Sequence, residues 1–584
     1  MPRAAKPATV PPIAPRHVAL LTVALALLIA VRVLVEFRSG AWCWGLDYGR
    51  YLSPRWRWGP WLAALVFVIA ATLPPVRAAI ARGVRGFATR PAPIVAIVAL
   101  ACGALCFAFP DLTHFTGDFA LRRSAIVGIT DFDRLFPQAS ALDRFLHLVL
   151  PRTVIASTGL HAGTIASTQG AVNAALFGAL AVAFARHVAA QPLAALVAAA
   201  TVIGSAALGL FTGYDKSLAE LSVVTLAFAV AGLGELSGGR PAWTSGLMVA
   251  LAIALHRSGL ALMPAWLLLW AWVPAPPAAR GRRVWPWSRL VPAALMAAQL
   301  PVVWKVAHAV DARHLAPTGV GHLLTAAFEP ARLVALANLA LFLVPLLPLL
   351  PVVFAIARRE RQRSAVWLGW LGASWLLPML AIHPVQGEFR DWDDFAAAAV
   401  AMALPLALLL ARACARAPAA LATTVIAAAL VPRVQWLALE ARPQRALERV
   451  EAWAAGPPAP ARTVAAATLE FVAVSHFRDR RLEDGRRTMA AAIAQMPWER
   501  LYLGAANAEA QAGDWSYAVT LYEEAARRFP NDATPWMMLA QAAFQHGDRD
   551  AASRAVAELR RMAPADPWTA RAEAALRQMT PAAP

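Results

Sequence analysis

Repeated apolar runs near 20 residues dominate the first three quarters of this 584-residue chain. An α-helix rises about 1.5 Å per residue, so about 20 apolar residues cross a hydrocarbon core about 30 Å thick. A chain built from such runs folds as a polytopic helical bundle, because helices satisfy their own backbone groups in lipid. Thirteen spans are expected, at 18–37, 59–76, 92–109, 165–185, 191–210, 218–234, 243–256, 259–274, 289–305, 333–357, 365–382, 395–413 and 419–437. The seventh and eighth are short and closely joined. The mean hydropathy of +0.52 agrees with this reading.

Charge is sorted between the loops. Even-numbered spans are followed by Arg77, Arg82, Arg85 and Arg90, then Arg186, then Arg240, then Arg280, Arg282 and Arg283, then Arg358, Arg359, Arg361 and Arg363, then Arg412 and Arg416. This is the positive-inside pattern, and Arg3, Lys6 and Arg16 keep the N-terminus cytoplasmic. It also accounts for the net charge of +19 without nucleic acid, for which no motif is found. The aspartates Asp47, Asp111, Asp118, Asp131, Asp133, Asp143, Asp215, Asp311, Asp391, Asp393 and Asp394 all fall on the opposite, exoplasmic side. The span centres are nearly free of ionisable residues, which argues against ion-coupled transport. The four cysteines, Cys43, Cys102, Cys106 and Cys414, form no disulfide framework. The Ala/Arg/Pro-rich composition points to a bacterium, hence a multi-pass protein of the inner membrane.

Residues 438–584 are polar, Ala-rich and helical in period. After an odd number of spans they belong on the exoplasmic, periplasmic side. Residues 498–531 and 532–565 align at an offset of 34: Gly513 with Gly547, Asp514 with Asp548, Ala518 with Ala552, Pro530 with Pro564 and Tyr502 with Trp536. A 34-residue period closed by proline resembles tetratricopeptide repeats, with a degenerate repeat over 464–497 and a capping helix at 567–580. Such a unit either docks a protein partner or covers the membrane domain.

The longest loop of the membrane part, 111–164, carries Leu142, Phe145, Leu146 and Leu150 at helical spacing, as amphipathic helices at a membrane surface would. Within it, Asp118 follows a glycine just past a span, and Arg122 and Arg123 come next. A carboxylate there can act as general base on an acceptor hydroxyl. Arginines can hold a lipid phosphate. A helix cap with snorkelling arginines is the plainer explanation. "GYDKS" sets Asp215 and Lys216 in a tight turn, and "HRSGLALMP" sets His256 and Arg257 at a helix-hairpin turn. Lys305, His308 and Asp311 rank lower. "RDWDDF" places Arg390, Asp391, Trp392, Asp393 and Asp394 at the start of a span. A helix N-terminus explains one carboxylate, and the interface explains the tryptophan. Three carboxylates exceed that need. They can hold a divalent metal such as Mg or Mn, or an acceptor sugar with Trp392 stacked on it, and Arg390 or Arg257 is expected to bridge them when the site is empty. The D-x-D pairs Asp131/Asp133 and Asp391/Asp393 are weak metal signals by themselves. No other cofactor is implied.

Together, "THFTGDFALRR" (113–123), "GYDKS" (213–217), "HRSGLALMP" (256–264) and "RDWDDFA" (390–396) resemble the GT-C glycosyltransferases. With its repeat tail the chain is similar to the transmembrane-and-tetratricopeptide O-mannosyltransferases. The resemblance implies a polyprenyl-phosphate sugar donor, a glycan, lipid or protein acceptor, and Asp118 as catalytic base. It implies phosphate binding at Arg257 or Lys216. In the family the acidic loop follows the first span, so two added N-terminal spans would reconcile the layout, and Asp47 in "GLDYGRY" rivals Asp118. A lipid-linked oligosaccharide polymerase or ligase shares the topology, and a non-enzymatic scaffold or transporter is the third class considered.

Overall fold

The structure is a computed structural model that describes residues 15–38, 42–79, 82, 91–238, 243–273, 287–309, 328–357, 362–384, 386–415 and 417–579. Among these residues all regular structure is helical. The chain divides into two compact units, Met1–Ala446 and Leu447–Pro584.

In the first unit a helix lies at each of the thirteen apolar segments, but not all are long enough to span. Among the described residues eight helices are long and apolar enough to cross a membrane, or nine if the bent pair Pro330–Leu343 and Leu347–Ile356 counts as one span. That pair turns by 96° at its break. Pro192–Ile203 and Thr244–Leu255 are shorter, at 12 residues each. Hydropathy alone does not register where the backbone breaks, so the sequence count runs higher.

Broken helices strand backbone carbonyls, which are costly in an apolar setting. Buried arginines answer this. Arg32 donates to the carbonyls of Leu341, just before the 96° break, and Pro345, within it, at 3.5 and 3.4 Å. Arg433 donates to the carbonyl of Phe342 at the same break, and to that of Gly204, just past Pro192–Ile203, at 2.9 Å. Arg332 does the same for Met379 and Ile382, at 3.2 and 2.6 Å, where Leu376–Ala381 ends. A cation suits the negative end of a helix. Arg32, in the last turn of its helix, and Arg433 thus lie within apolar helices but away from their centres; Arg433 donates to carbonyls, and Arg32 to carbonyls and to the Tyr48 hydroxyl at 3.1 Å.

The two most enclosed spans are Leu218–Leu236 and Trp392–Cys414, each with 89% of its apolar window buried. Small residues such as Ala396–Ala399, all buried, let neighbours approach closely. The N-terminal ends of these central helices carry Lys216 and the 391–394 carboxylates, so the fold's centre sets the candidate site.

The loop 111–164 forms the short helices Phe119–Ile126, Phe132–Leu135, Ala141–Arg144 and Leu150–Thr158, with a π-helical turn at Phe145–Val149. Ile126, Phe132, Phe136 and Leu148 make a small apolar core beneath them. Part of its exposure is inverted relative to a water-facing surface. Arg122, Asp143 and His147 are buried, whereas Phe145, Val149 and Leu150 are exposed. Helices lying in a lipid interface show this inversion.

The second unit is a stack of antiparallel helix pairs: Arg462–Arg478 with Leu482–Gln495, Glu499–Ala512 with Trp515–Arg528, and Thr534–His546 with Arg549–Met562. Pro567–Gln578 follows. Gly513 and Gly547 end their helices with φ of +95° and +72°, the left-handed conformation that glycine adopts without a Cβ clash. The next residues, Asp514 and Asp548, cap the following helices at the N–H of Tyr517 (3.3 Å) and Ala551 (2.9 Å). The degenerate pair turns at Arg480 instead, with φ of 59°. Ala506, Ala518, Ala540 and Ala552 are buried at the helix crossings.

Candidate functional site

Three separate segments converge beside Lys216. Its ammonium lies 3.1 Å from Asp393 Oδ2 and 3.2 Å from Asp394 Oδ1. The Tyr214 hydroxyl donates to the same oxygen of Asp393. Burial alone would push the Lys216 ammonium down, but Asp393 and Asp394, with Tyr214 and Asp118, hold it well above its ordinary value. Asp391 accepts from the Gln386 N–H at 3.1 Å. Burial, then the like charges of Asp394 and Asp393, push the Asp391 carboxyl up to about 8. The cation that bridges Asp393 and Asp394 is thus Lys216, 177 and 178 residues away in the chain.

Asp118 stands at the start of Phe119–Ile126, in the helix-capping position, yet its side chain makes no capping hydrogen bond. It is half-buried, and its charge acts on both Lys216 and Arg122. The preceding Gly117 (φ +81°) packs flat against Tyr214: a Cβ there would sit 2.2 Å from Cε2 of the ring. This contact fixes the Asp118 backbone against the turn that carries Lys216.

A second polar cluster lies under the interfacial helices. Arg122 is buried and binds Asp143 in bidentate fashion, both bonds at 3.0 Å, with its guanidinium 4.7 Å from the centre of the Phe136 ring. His147 meets a carboxylate at each ring nitrogen: Nδ1 to Asp215 at 2.6 Å and Nε2 to Glu220 at 3.2 Å. Asp143 is a further 3.9 Å neighbour. Two carboxylate acceptors on one ring require both nitrogens to donate, so the ring is an imidazolium. Burial opposes that charge, but Glu220 and Asp215 outweigh it and hold His147 up to about 10. Gln169 and Asn173 complete the shell of Glu220, at 2.9 and 2.7 Å. Asp215 and Lys216, adjacent in sequence, therefore serve different clusters.

His256 accepts from the Arg257 guanidinium at Nε2 (2.9 Å). Its Nδ1 lies 2.6 Å from the Ser258 hydroxyl and 3.3 Å from the Ser258 N–H. Lys216, Arg122 and Arg257 all act on this ring electrostatically, which places the hairpin turn beside the other two segments. Ser140 ties the interfacial loop to the same turn through the carbonyls of Ala254 and Leu255, at 2.5 and 2.7 Å. Trp392 is buried and donates to Thr116 at 3.0 Å, linking the loop of Asp118 to the carboxylate segment. The Arg390 guanidinium lies 5.2 Å from the Phe115 ring centre.

Other sequence candidates sit elsewhere. Arg123 is exposed. Asp131 caps its own short helix at the Asp133 N–H (2.9 Å), and Asp133 pairs with exposed Arg144, so that D-x-D is a helix start. Asp47 is buried in the turn Asp47–Tyr51, which packs on Ala419–Glu440. Lys305 and His308 are exposed, and Asp311 lies outside the described residues. Among the described residues no group of three or more His, Cys, Asp or Glu side chains is placed to hold a metal ion.

Sequence reasoning passed over His147, Asp143, Glu220, Gln169, Asn173 and Tyr214 as site residues. Only Tyr214 and Asp143 carried any signal, the first next to Lys216 and the second among the segregated aspartates. His147 looked like one more residue of an amphipathic helix.

Residues 509–584 match the tetratricopeptide repeat family, in agreement with the stacked helix pairs there. No curated protein matches the chain. Among solved structures the chain is similar to the crystal structure of ArnT from Cupriavidus metallidurans bound to undecaprenyl phosphate, at 15% identity and a TM-score of 0.37, over 77% of this chain and 80% of that one.

Proposed function

We propose that this protein is a membrane glycosyltransferase that moves a sugar from a polyprenyl-phosphate donor to an acceptor hydroxyl on the exoplasmic face. On the arginine pattern of the loops, that is the periplasmic side of a bacterial inner membrane, and also the compartment of residues 438–584. The observation that carries the reading is Asp118: a half-buried carboxylate with its cap bond unmade, set at the membrane-interface loop within the field of Lys216.

In this reading Asp118 takes the proton of the acceptor hydroxyl as its oxygen attacks the anomeric carbon. The bond from that carbon to the phosphate oxygen breaks, and the polyprenyl phosphate leaves with the electron pair. Lys216 and Arg257 receive its charge, because cations placed where negative charge develops lower the barrier. Asp391, which keeps its proton near neutral pH, and Asp394 supply hydrogen-bonding groups for sugar hydroxyls. Arg122 is bound on both terminal nitrogens by Asp143 and supports the loop from beneath.

The test is Asp118→Asn in a transfer assay with a polyprenyl-phosphate sugar. Turnover falls by about 10²–10⁴-fold, while binding of the lipid phosphate stays close to that of the wild type. Near-normal turnover would remove Asp118 from the role and make Asp47 and Asp391 the next carboxylates to replace.

A further inference from the structure

The His147 cluster is buried, charged and built from three elements, yet it contains neither the base nor the phosphate-binding cation of the reaction proposed above. Asp143 and His147 come from the interfacial loop, Asp215 from the turn between two spans, and Glu220 from the first turn of Leu218–Leu236. Charged groups this deep are costly, and a surface loop needs none of them to stay folded on a membrane. Their placement does one mechanical thing. The bond from His147 to Asp215, at 2.6 Å, pins the turn Tyr214–Lys216 to the loop that carries Asp118. Tyr214 packs on Gly117, and Lys216 reaches Asp393 and Asp394 from the same turn.

We infer that His147 is a positioning residue of the transferase site: as a doubly donating imidazolium it locks the Lys216 turn onto the interfacial loop, and so sets the spacing between the phosphate-binding cation and the Asp118 base. The inference rests on the glycosyltransferase reading. It makes the interfacial loop a part of donor recognition rather than a lipid anchor alone. The groups that face the imidazolium are Asp143, Asp215 and Glu220, with Arg122 behind Asp143 and the amides of Gln169 and Asn173 behind Glu220. All of them favour or tolerate the charged ring, so the lock holds through the neutral range.

The experiment compares two variants of the full chain in detergent. His147→Gln removes the charge and leaves Asp215 and Glu220 without their cation, so it can fail to fold. The double variant His147→Gln with Asp215→Asn removes both charges and keeps a neutral amide pair in their place. A merely structural histidine lowers the folded fraction, and with it apparent kcat, at unchanged KM. A positioning histidine raises the KM for the polyprenyl-phosphate sugar, by about tenfold, in whichever variant folds, with kcat changed by less than about threefold. Wild-type KM in a folded variant overturns the inference. Deuterium uptake over residues 141–158 and 213–217 gives a readout that needs no substrate. Raised uptake in the variants supports the lock, and wild-type uptake overturns it. If the wild type itself transfers no sugar, the functional reading falls on that observation alone, and the uptake still decides whether the lock exists.

Discussion

The two units use charge in opposite ways. Residues 1–446 carry 38 Lys and Arg against 18 Asp and Glu, and residues 447–584 carry 16 against 17. In the repeat unit many pairs close within one helical turn on the surface, such as Arg481 with Asp484, Arg527 with Glu524 and Arg561 with Glu558. In the membrane unit the pairs that build the candidate site each have at least one buried partner and span the chain: Arg122 to Asp143 across 21 residues, His147 to Asp215 across 68, Lys216 to Asp393 across 177. The surface pairs are exchangeable with water and stabilise little. The buried ones have no water to fall back on, so each partner is committed to the other. Charge in the repeat unit mostly keeps a surface soluble, with Arg486 and the buried Glu509, 2.6 Å apart across 23 residues, as an exception. Charge in the membrane unit fixes where distant segments meet.

That contrast has a direct measure. Lys216→Met strands Asp393, which is 2% exposed, beside a tyrosine and another carboxylate. Breaking a buried pair in this way costs about 3 kcal/mol. Arg561→Ala, which removes one half of an exposed pair, costs about 0.3 kcal/mol. Thermal unfolding of the detergent-solubilised chain checks both, and equal losses would erase the distinction between the units.

The pH dependence separates the units as well. The folded value of His147 is raised, from about 6.5 in an unfolded chain to about 10. The folded state therefore holds a proton that the unfolded state releases, and stability falls with rising pH between those values. The contribution is complete below about 6.5 and is lost as the pH climbs towards 10. Asp391, raised to about 8 by burial and by Asp394 and Asp393, has the same sign in a lower window. In the repeat unit, burial and the neighbouring Asp532 raise Glu499 to about 6, so its loss is finished before neutral pH. Unfolding of the full chain between pH 7 and 9 should lower the midpoint of the membrane unit and leave that of the excised repeat unit level.

How legible each unit was follows from the same physics. The repeat unit is written in local terms: Gly513 and Gly547 mark left-handed helix ends, and Asp514 and Asp548 mark the helix starts that follow. A period of 34 exposes the stacking without any structure, and one turn, at Arg480, escaped because no glycine marked it. In the membrane unit the apolar runs and the amphipathic loop were equally plain. The breaks were not, because an arginine from a distant helix can satisfy the freed carbonyls, as Arg433 does for Gly204 and Phe342. The single-segment motifs around Asp118, Lys216 and Asp391–Asp394 were visible as charge in apolar surroundings. Their pairing was not. Arg390, beside the carboxylates in sequence, and Arg257, in the hairpin turn, were the expected bridges, and Lys216 supplies a bridge to Asp393 and Asp394. His147 stayed hidden because every group that defines it lies on another segment or in another turn.

Glycine gives the finest comparison, since the same backbone conformation recurs in both units with different surroundings. Gly547 has φ of +72° and open space around an added Cβ. Gly547→Ala therefore pays only the left-handed backbone penalty, about 1 kcal/mol. Gly128, in the interfacial loop, has φ of +81° and is equally open. Gly128→Ala should match it at about 1 kcal/mol, although it belongs to the other unit. Gly117 shares the φ of +81°, but its Cβ would lie 2.2 Å from Tyr214 Cε2. The ring must move, and it carries the hydrogen bond to Asp393 and the turn that presents Lys216. Gly117→Ala should thus cost more than about 2 kcal/mol and lower transfer beyond its effect on folding, with a raised KM for the donor. Thermal midpoints order the three variants. If Gly117→Ala falls with the other two, the Gly117–Tyr214 contact does not hold Asp118 and Lys216 in place. If Gly128→Ala instead falls with Gly117→Ala, the cost belongs to the interfacial loop as a whole and not to the tyrosine.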